Sequence, residues 1–288
     1  MAIKIALTYQ PTAIFILAAP LERIIKTMPN PNPHALQIIQ LPALQDNYIY
    51  VLHDPLTQHT AVVDPSHAEP VLALLARTGW QLHTILNTHH HSDHVGGNLE
   101  LKQKTACTII ASKTDARRIR AVDKTVSEGE RIAIGSHYAS VIGADGHTLG
   151  HILYYFASAN ALFCGDTLFA MGCGRLFEGS AAQMWHSLQK IKALPADTLC
   201  YCAHEYTQNN ARFALSLEPD NAALQARVQR INALRATLLP TVPSLLFDEL
   251  ATNPFLREHS AELQQRIQRV GATPIEIFSE VRRLKDNF

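Results

Sequence analysis

The chain has 288 residues, with 25 Lys plus Arg against 25 Asp plus Glu; charged residues make up 17% and hydrophobic residues 47%. That length suits one large domain, or a core with an appendage, and is ample to bury a core. The composition excludes a disordered or collagen-like chain, and a formal net charge of zero gives no support for a nucleic-acid binder. Histidine is the outlier, at 15, with five of them between His83 and His94.

The first 34 residues stand apart. The apolar run 13–20 is short, is preceded by Lys4 and has no clean cleavage site, which makes it a poor signal peptide. A Pro-rich stretch, 29–34, follows Met28. Residues 1–34 are therefore expected to be a disordered extension outside the fold. No run of about 18 apolar residues exists, so no membrane span is expected. Five cysteines, Cys107, Cys164, Cys173, Cys200 and Cys202, form no CxxC pair. An odd count without that spacing argues for free thiols and a cytoplasmic protein.

In chain order, 36–44 and 48–53 read as strands joined by a turn at Gln45-Asp46-Asn47. A third strand, 61–63, ends at Asp64-Pro65. Ser66 is expected to cap a helix through Ala76, stopped by Gly79. A strand at 82–87 runs into the histidines, and a helix follows at 98–104. Strands are expected at 107–111, 138–144, 152–156, 161–164 and 199–202, with a charged, turn-rich span at 112–135. Ser180 and Gln183 predict a capping box for a helix through Leu194. Beyond about 206 the pattern is helical only: 220–238, then a loop punctuated by Pro240, Pro243 and Pro254, then 260–270. A last helix opens at Thr273, Pro274 and Glu276, with Ile275, Phe278, Val281 and Leu284 as its apolar side.

The histidine run is Thr88-His89-His90-His91-Ser92-Asp93-His94-Val95-Gly96-Gly97. Imidazole nitrogens and a carboxylate suit zinc and related metals. Extended geometry places His89 and His91 on one side, and Asp93 and His94 follow where the chain must turn. Four potential donors in six residues exceed what one tetrahedral ion usually takes from one segment, so the pattern suggests two ions completed from elsewhere. Candidates at other strand ends are His147, Asp166 and His204. Groups at successive strand ends of a layered fold converge on one edge.

These residues, in this order, resemble the metallo-β-lactamase superfamily. Six further segments resemble its glyoxalase II family: 41–48, 165–169, 172–179, 204–207, 253–257 and 282–286. The resemblance implies an α/β fold, a metallo-β-lactamase-like αββα sandwich of two mixed β-sheets with outer helices, plus a helical C-terminal domain. It divides the chain into a catalytic domain, 35–205, and a substrate-binding domain, 206–288. It implies two divalent metal ions, zinc by default, with iron or manganese compatible with the same donors. One ion would be held by His89, His91 and His147, the other by Asp93, His94 and His204, with Asp166 bridging. Asp93 and Asp166 would be the catalytic carboxylates. Substrate contacts map to Arg175, Phe177, His204, Tyr206, Arg282 and Lys285. Phe177 lacks the hydroxyl of the Tyr found in some relatives, so packing is its expected role. His90 and His151 occupy no ligand position and are expected to support the ligands. Arg282 and Lys285 are neighbours at i, i+3 on one helix face.

The implied reaction is hydrolysis of S-(2-hydroxyacyl)glutathione thioesters, typically S-D-lactoylglutathione, by a metal-held hydroxide in a monomeric, cytoplasmic enzyme with neither nucleic-acid nor membrane partners. The alternative within the superfamily is a persulfide dioxygenase using a single iron. A nucleic-acid-processing member is disfavoured by the neutral charge, a β-lactamase by the poor signal peptide, and a zinc-storage module by the basic pair near the C-terminus.

Overall fold

The computed structural model describes residues 35–288 and the backbone of Ile14–Ile16. The expectation for 1–34 otherwise lies outside the described residues. Ile14–Ile16 (β1) pairs in parallel with Gln37–Ala43 (β2). The first sheet continues through Asn47–Asp54 (β3), His59–Val63 (β4), Leu82–Leu86 (β5), Thr108–Ser112 (β6) and Lys124–Val126 (β7), in sequence order. Its β2–β3–β4 part is antiparallel and its β4–β5–β6–β7 part parallel. The second sheet takes Arg131–Ile134 (β8), His137–Gly143 (β9), Ile152–Phe156 (β10), Ala161–Gly165 (β11), Leu199–Cys202 (β14) and Ser244–Leu245 (β15). Its β11–β14 pair is parallel and the rest antiparallel. A small hairpin, Leu168–Phe169 (β12) with Gly172–Cys173 (β13), lies between β11 and β14 in sequence.

Strand β3 explains the layering. All eight of its residues are buried. Tyr48, Tyr50 and Leu52 face the second sheet, where Tyr50 meets Phe163 and Tyr201 edge-on. Ile49 and Val51 face the opposite way, toward helices Glu69–Thr78 (α1) and Asn98–Thr105 (α3) through Val71, Leu74 and Leu101. Period-2 alternation on a two-faced strand thus builds both apolar layers. Helix Ala181–Lys192 (α4) covers the second sheet with Met184, Leu188 and Ile191. The final helix, Pro274–Asp286 (α9), joins the same cluster through Ile277, Phe278 and Val281.

Several expectations are corrected. Ser66 caps nothing: α1 starts at Glu69, after Ala68. The preceding loop is held instead by Gly97, whose N–H donates to Pro65 O (2.8 Å). A Cβ on Gly96 would lie 2.3 Å from Ser66 O. Gly96-Gly97 is needed for close approach of two backbones, since neither glycine has positive φ. The span 112–135 contains β7 and β8, which are short and expose Lys124, Thr125, Arg131 and Ala133, diluting the strand pattern. The C-terminal region is not purely helical. Beside Thr207–Leu217 (α5) and Ala222–Ala236 (α6) it contributes β15 to the second sheet and a helix, Leu246–Thr252 (α7), where a loop was expected. Helix α8, Ala261–Arg266, stops short of Val270 because Gln268 adopts positive φ. Both capping boxes form, at Ser180/Gln183 and Thr273/Glu276. The buried face of α9 is Ile277, Phe278, Val281 and Arg282, with Ile275 and Leu284 half-buried.

Candidate metal centre

After β5 the chain bends at Thr88 and His89, is extended at His91 (φ −61°, ψ 146°) and then enters a single helical turn, Ser92–Val95 (α2). The bend brings His89 and His91 together, with His89 Nε2 3.0 Å from His91 Nδ1, and the helical turn swings Asp93 and His94 in beside them. His147 arrives on the β9–β10 loop, Asp166 from the end of β11 and His204 from the end of β14. The parallel β11–β14 pair, extended by Ala203 N–H to Gly165 O (3.1 Å), brings the last two together.

Three groups have their donor atoms within 4.8 Å of one another: His89, His91 and His147; Asp93, His94 and His204; and Asp64, His89 and His94, in which Asp64 is already engaged by His94 Nδ1 and Thr88. His91 Nδ1 lies 3.0 Å from both His89 Nε2 and His147 Nε2. Asp93 Oδ2 lies 3.6 Å from His94 Nε2 and 3.5 Å from His204 Nε2. Donors about 2.0–2.1 Å from a shared tetrahedral ion lie roughly 3.3 Å apart, so both spacings suit one ion each. Asp166 stands between the clusters. Its Oδ1 is 3.5 Å from both His94 Nε2 and His204 Nε2, and its Oδ2 is 3.4 Å from His147 Nε2. His94 Nε2 and Asp166 Oδ1 are buried without a hydrogen-bond partner. Buried polar atoms rarely go unsatisfied, and a cation between these two would satisfy both. The donor set therefore fits a pair of metal ions.

The outward ring nitrogens are pinned. His94 Nδ1 meets Asp64 Oδ2 (2.9 Å), His204 Nδ1 meets Asp46 Oδ1 (2.8 Å) and His147 Nδ1 meets Arg175 O (2.8 Å). Such bonds fix tautomer and ring orientation. Asp64 also accepts from Thr88 N–H (2.8 Å) and Thr88 Oγ1–H (2.6 Å), and Asn47 Nδ2 donates to Asp93 Oδ2 (3.2 Å). His151 accepts from the Asp166 N–H (3.1 Å), and His90 turns away toward Asp115 (3.1 Å), so neither joins the donors. Asp46, Asn47 and Asp64 are supporting residues that the sequence reading left as turn and strand-end residues. Their polar character at strand ends was the available signal.

Burial dominates the titration of His89 and His147 and pushes both imidazoles down, toward the neutral form that ligates. Burial also depresses His91, to about 4, helped by His147 and His90. His94 and His204 move up: burial opposes the charge, but Asp166 in both cases, with Asp64 or Asp46, outweighs it. Burial would raise Asp166, yet His94 and His204 hold its carboxyl well below the usual range. Imidazoles ligate a metal in the neutral form, so a cation at His94 and His204 would compete with protons there.

A cleft of about 430 Å³ opens onto Asp166 and His147, and Arg175, Phe177, Tyr206, Arg282 and Lys285 all line it. Tyr206 stacks parallel on His204 (4.7 Å between centroids), and Phe177 sets its ring edgewise to His91 (5.6 Å) and His147 (5.2 Å). Phe177 is 60% exposed, so it forms a wall over two donor imidazoles. Arg282, expected as a substrate contact, is only 5% exposed. Its guanidinium donates to Cys173 O (2.9 Å) and Asp286 Oδ1 (2.8 Å), and Arg175 Nε lies 3.5 Å from that same oxygen. Lys285 Nζ sits 5.2 Å from the Phe213 and Phe288 rings. A Cβ on Gly174 would lie 1.9 Å from Asp166 O, so only glycine lets the Arg175 segment run against the centre. Asp286 and Cys173 are cleft residues to which the sequence reading gave no role.

The profile of the metallo-beta-lactamase superfamily matches residues 44–204, and that of the hydroxyacylglutathione hydrolase C-terminus matches 205–288. The hydroxyacylglutathione hydrolase of Methylococcus capsulatus is 55% identical over 253 residues, covering 88% of this chain and 99% of that one. The enzyme of the same name from Rhodospirillum rubrum is 56% identical over 253 residues, again 88% and 99%. The crystal structure of ETHE1 from Myxococcus xanthus superposes with a TM-score of 0.61 at 22% identity, over 86% of this chain and 97% of that one; it shares the fold. Two mixed sheets with outer helices, the two-cluster donor set and the helical C-terminal region agree with these matches, and the chain belongs to the metallo-β-lactamase superfamily and, within it, to the hydroxyacylglutathione hydrolases.

Proposed function

We infer that this chain hydrolyses S-(2-hydroxyacyl)glutathione thioesters, typically S-D-lactoylglutathione, to glutathione and D-lactate, the second step of methylglyoxal detoxification. The observation that carries the reading is a cation-lined cleft opening directly onto donors for two metal ions. We assign His89, His91 and His147 to one ion, Asp93, His94 and His204 to the other, and Asp166 to both. Zinc is the proposed metal, since an all-His and carboxylate set suits it, although iron and manganese accept the same donors. We further propose a catalytic unit at 35–205, a substrate-binding unit at 206–288 with 1–34 as an extension, and a monomeric, cytoplasmic protein. Five buried free cysteines support a reducing compartment. No described helix is long and apolar enough to cross a membrane.

Two divalent ions, when bound, would supply a water activated near pH 7 and a polarised thioester carbonyl. The chain's own residues do the rest. Asp93, steadied by Asn47, offers a carboxylate to orient the attacking water. Arg175, Arg282 and Lys285 bring three positive charges to the cleft and Asp286 one negative charge, which suits a peptide carrying two carboxylates and an ammonium. Burial, and then Asp46, Asp166 and Asp93, push the Tyr206 hydroxyl well above its ordinary range, so it remains a hydrogen-bond donor in the cleft. The departing glutathione thiolate has a conjugate acid with a pKa near ~8.5. It leaves without needing a strong general acid. Purified protein should hydrolyse S-D-lactoylglutathione, lose that activity on chelation, and bind two metal ions per chain. Oxygen consumption with a persulfide, one bound iron and no thioester hydrolysis would replace this reading with the dioxygenase alternative.

A pH dependence follows from Lys285. Burial, then Arg282 and Arg212, lower its pKa to about 8. Lowering favours the neutral amine, so the ammonium is present below pH 8 and lost above it. KM for the anionic thioester should therefore rise as pH passes through 8 and upward, and kcat/KM should fall in parallel. Lys285→Gln should have a higher KM at pH 7 and lack that limb. A KM that is flat from pH 7 to 9.5, or an unchanged limb in Lys285→Gln, would remove Lys285 from substrate binding.

A further inference from the structure

We propose that Glu178 is a positioning residue that ties the His89–His91–His147 cluster to the wall of the substrate cleft; this rests on the two-ion reading above. Glu178 closes the segment that carries Arg175 and Phe177. Its Oε2 accepts from the Leu149 N–H (2.9 Å), two residues past His147, and from Arg118 Nη1 (3.1 Å). Its Oε1 accepts from Arg118 Nη2 and lies 3.7 Å from His90 Nε2. His90 sits between the two donors His89 and His91, with its Nδ1 3.1 Å from Asp115 Oδ2. Asp115 is fully buried, and its Oδ1 lies 3.7 Å from Arg118 Nη1. One carboxylate thus joins three segments: the 89–91 run, the His147 loop, and the stretch bearing Arg175 and Phe177.

The backbone follows the same path. Phe177 N–H donates to His147 O (3.2 Å) and Gly179 N–H to Gly146 O (3.0 Å), while His147 Nδ1 meets Arg175 O (2.8 Å). Moving Glu178 would therefore move the His147 ring and Arg175 together. Anchoring His90 on Asp115 also holds the bend from which His89 and His91 reach each other. Arg118 chiefly, with the Leu149 N–H and His90 in support, holds Glu178 at about 2 despite partial burial, so it is an anion throughout the working range. The Arg118 side chain is 44% exposed and the Glu178 side chain 24%. An ion pair so open to water adds little to global stability. Its consequence lies in geometry, and that separates this role from a merely structural one.

The test uses the full chain loaded with two equivalents of zinc and titrated against a chromophoric chelator. Glu178→Gln keeps the size and removes the anion. It should release one of its two zinc ions about 10- to 100-fold more readily than the parent, the usual effect of losing a ligand's supporting partner. The second ion should be held as before, and the melting temperature of the apo chain should change little. KM for the thioester should rise as Arg175 loosens. Arg118→Ala, on the surface, should act in the same direction and guards against a Glu178→Gln protein that fails to fold. Parent-like retention of both ions in both variants, or equal weakening of both ions, would overturn the proposal. A parent chain that binds fewer than two zinc ions would instead fail the two-ion reading, and the proposal with it.

Discussion

Asp166→Ala is expected to lose both metal ions and nearly all activity. Asp166 places one oxygen 3.5 Å from His94 Nε2 and His204 Nε2 and the other 3.4 Å from His147 Nε2, so its carboxylate is shared by the two clusters. It is 6% exposed. Two cations a few ångströms apart repel strongly in a low-dielectric site, and the bridging anion offsets that repulsion. Its removal should cost more than the ~10–100-fold that losing a supporting residue costs, and it acts on both ions. Because site binding is coupled to folding, the variant should lose the increment in melting temperature that zinc confers on the parent. Metal content after gel filtration and kcat in zinc-supplemented buffer measure this. Two tightly held ions in Asp166→Ala would refute the bridge.

Arg282→Ala is expected to raise KM with little change in kcat. The guanidinium reaches the cleft from α9 while bonded to Cys173 O and Asp286 Oδ1. A hydrogen bond to a charged group contributes about 1.5–3 kcal/mol, which converts to roughly 10- to 100-fold in affinity. A group that binds the remote peptide end stabilises ground state and transition state alike, so its loss appears in KM. The variant should also be less stable, because the Cys173 carbonyl loses its Arg282 donor and Asp286 keeps only Arg175. Arg282→Lys should restore little. A single ammonium lacks the planar fork that serves the carbonyl and the carboxylate together. Initial rates across a range of S-D-lactoylglutathione concentrations decide this. An unchanged KM with a reduced kcat would place Arg282 outside the substrate clamp.

The donors themselves were legible in the chain. Thr88-His89-His90-His91-Ser92-Asp93-His94 packs metal chemistry at a strand end, and a strand followed by a turn can present such a run in only a few ways. Capping boxes at Ser180 and Thr273 were equally readable, because they are local hydrogen-bond patterns. Ser66 shows the limit. Its residue type favours a cap, but the approach of Gly96-Gly97 to the 65–67 backbone delays the helix. Strand β15 and helix α7 were hidden because a two-residue strand and a seven-residue helix carry too little periodicity to read.

The supporting residues lay beyond the sequence for a related reason. Asp46, Asn47, Asp64 and Glu178 are ordinary turn and loop residues until sheet pairing sets them beside His204, Asp93, His94 and Leu149. Arg282 illustrates the same point in reverse: its i, i+3 spacing with Lys285 suggested a paired charged face, yet α9 rotates it into the protein. By itself, then, the sequence determined which side chains bring chemistry, since donor type and spacing are local properties. Only the tertiary structure decided how far Asp166 stands from each cluster, that Asp64 and Asp46 hold the rings, and that Glu178 joins the His147 loop to Arg118. Those are separations between segments far apart in the chain, and packing of the two sheets and the C-terminal helices fixes them.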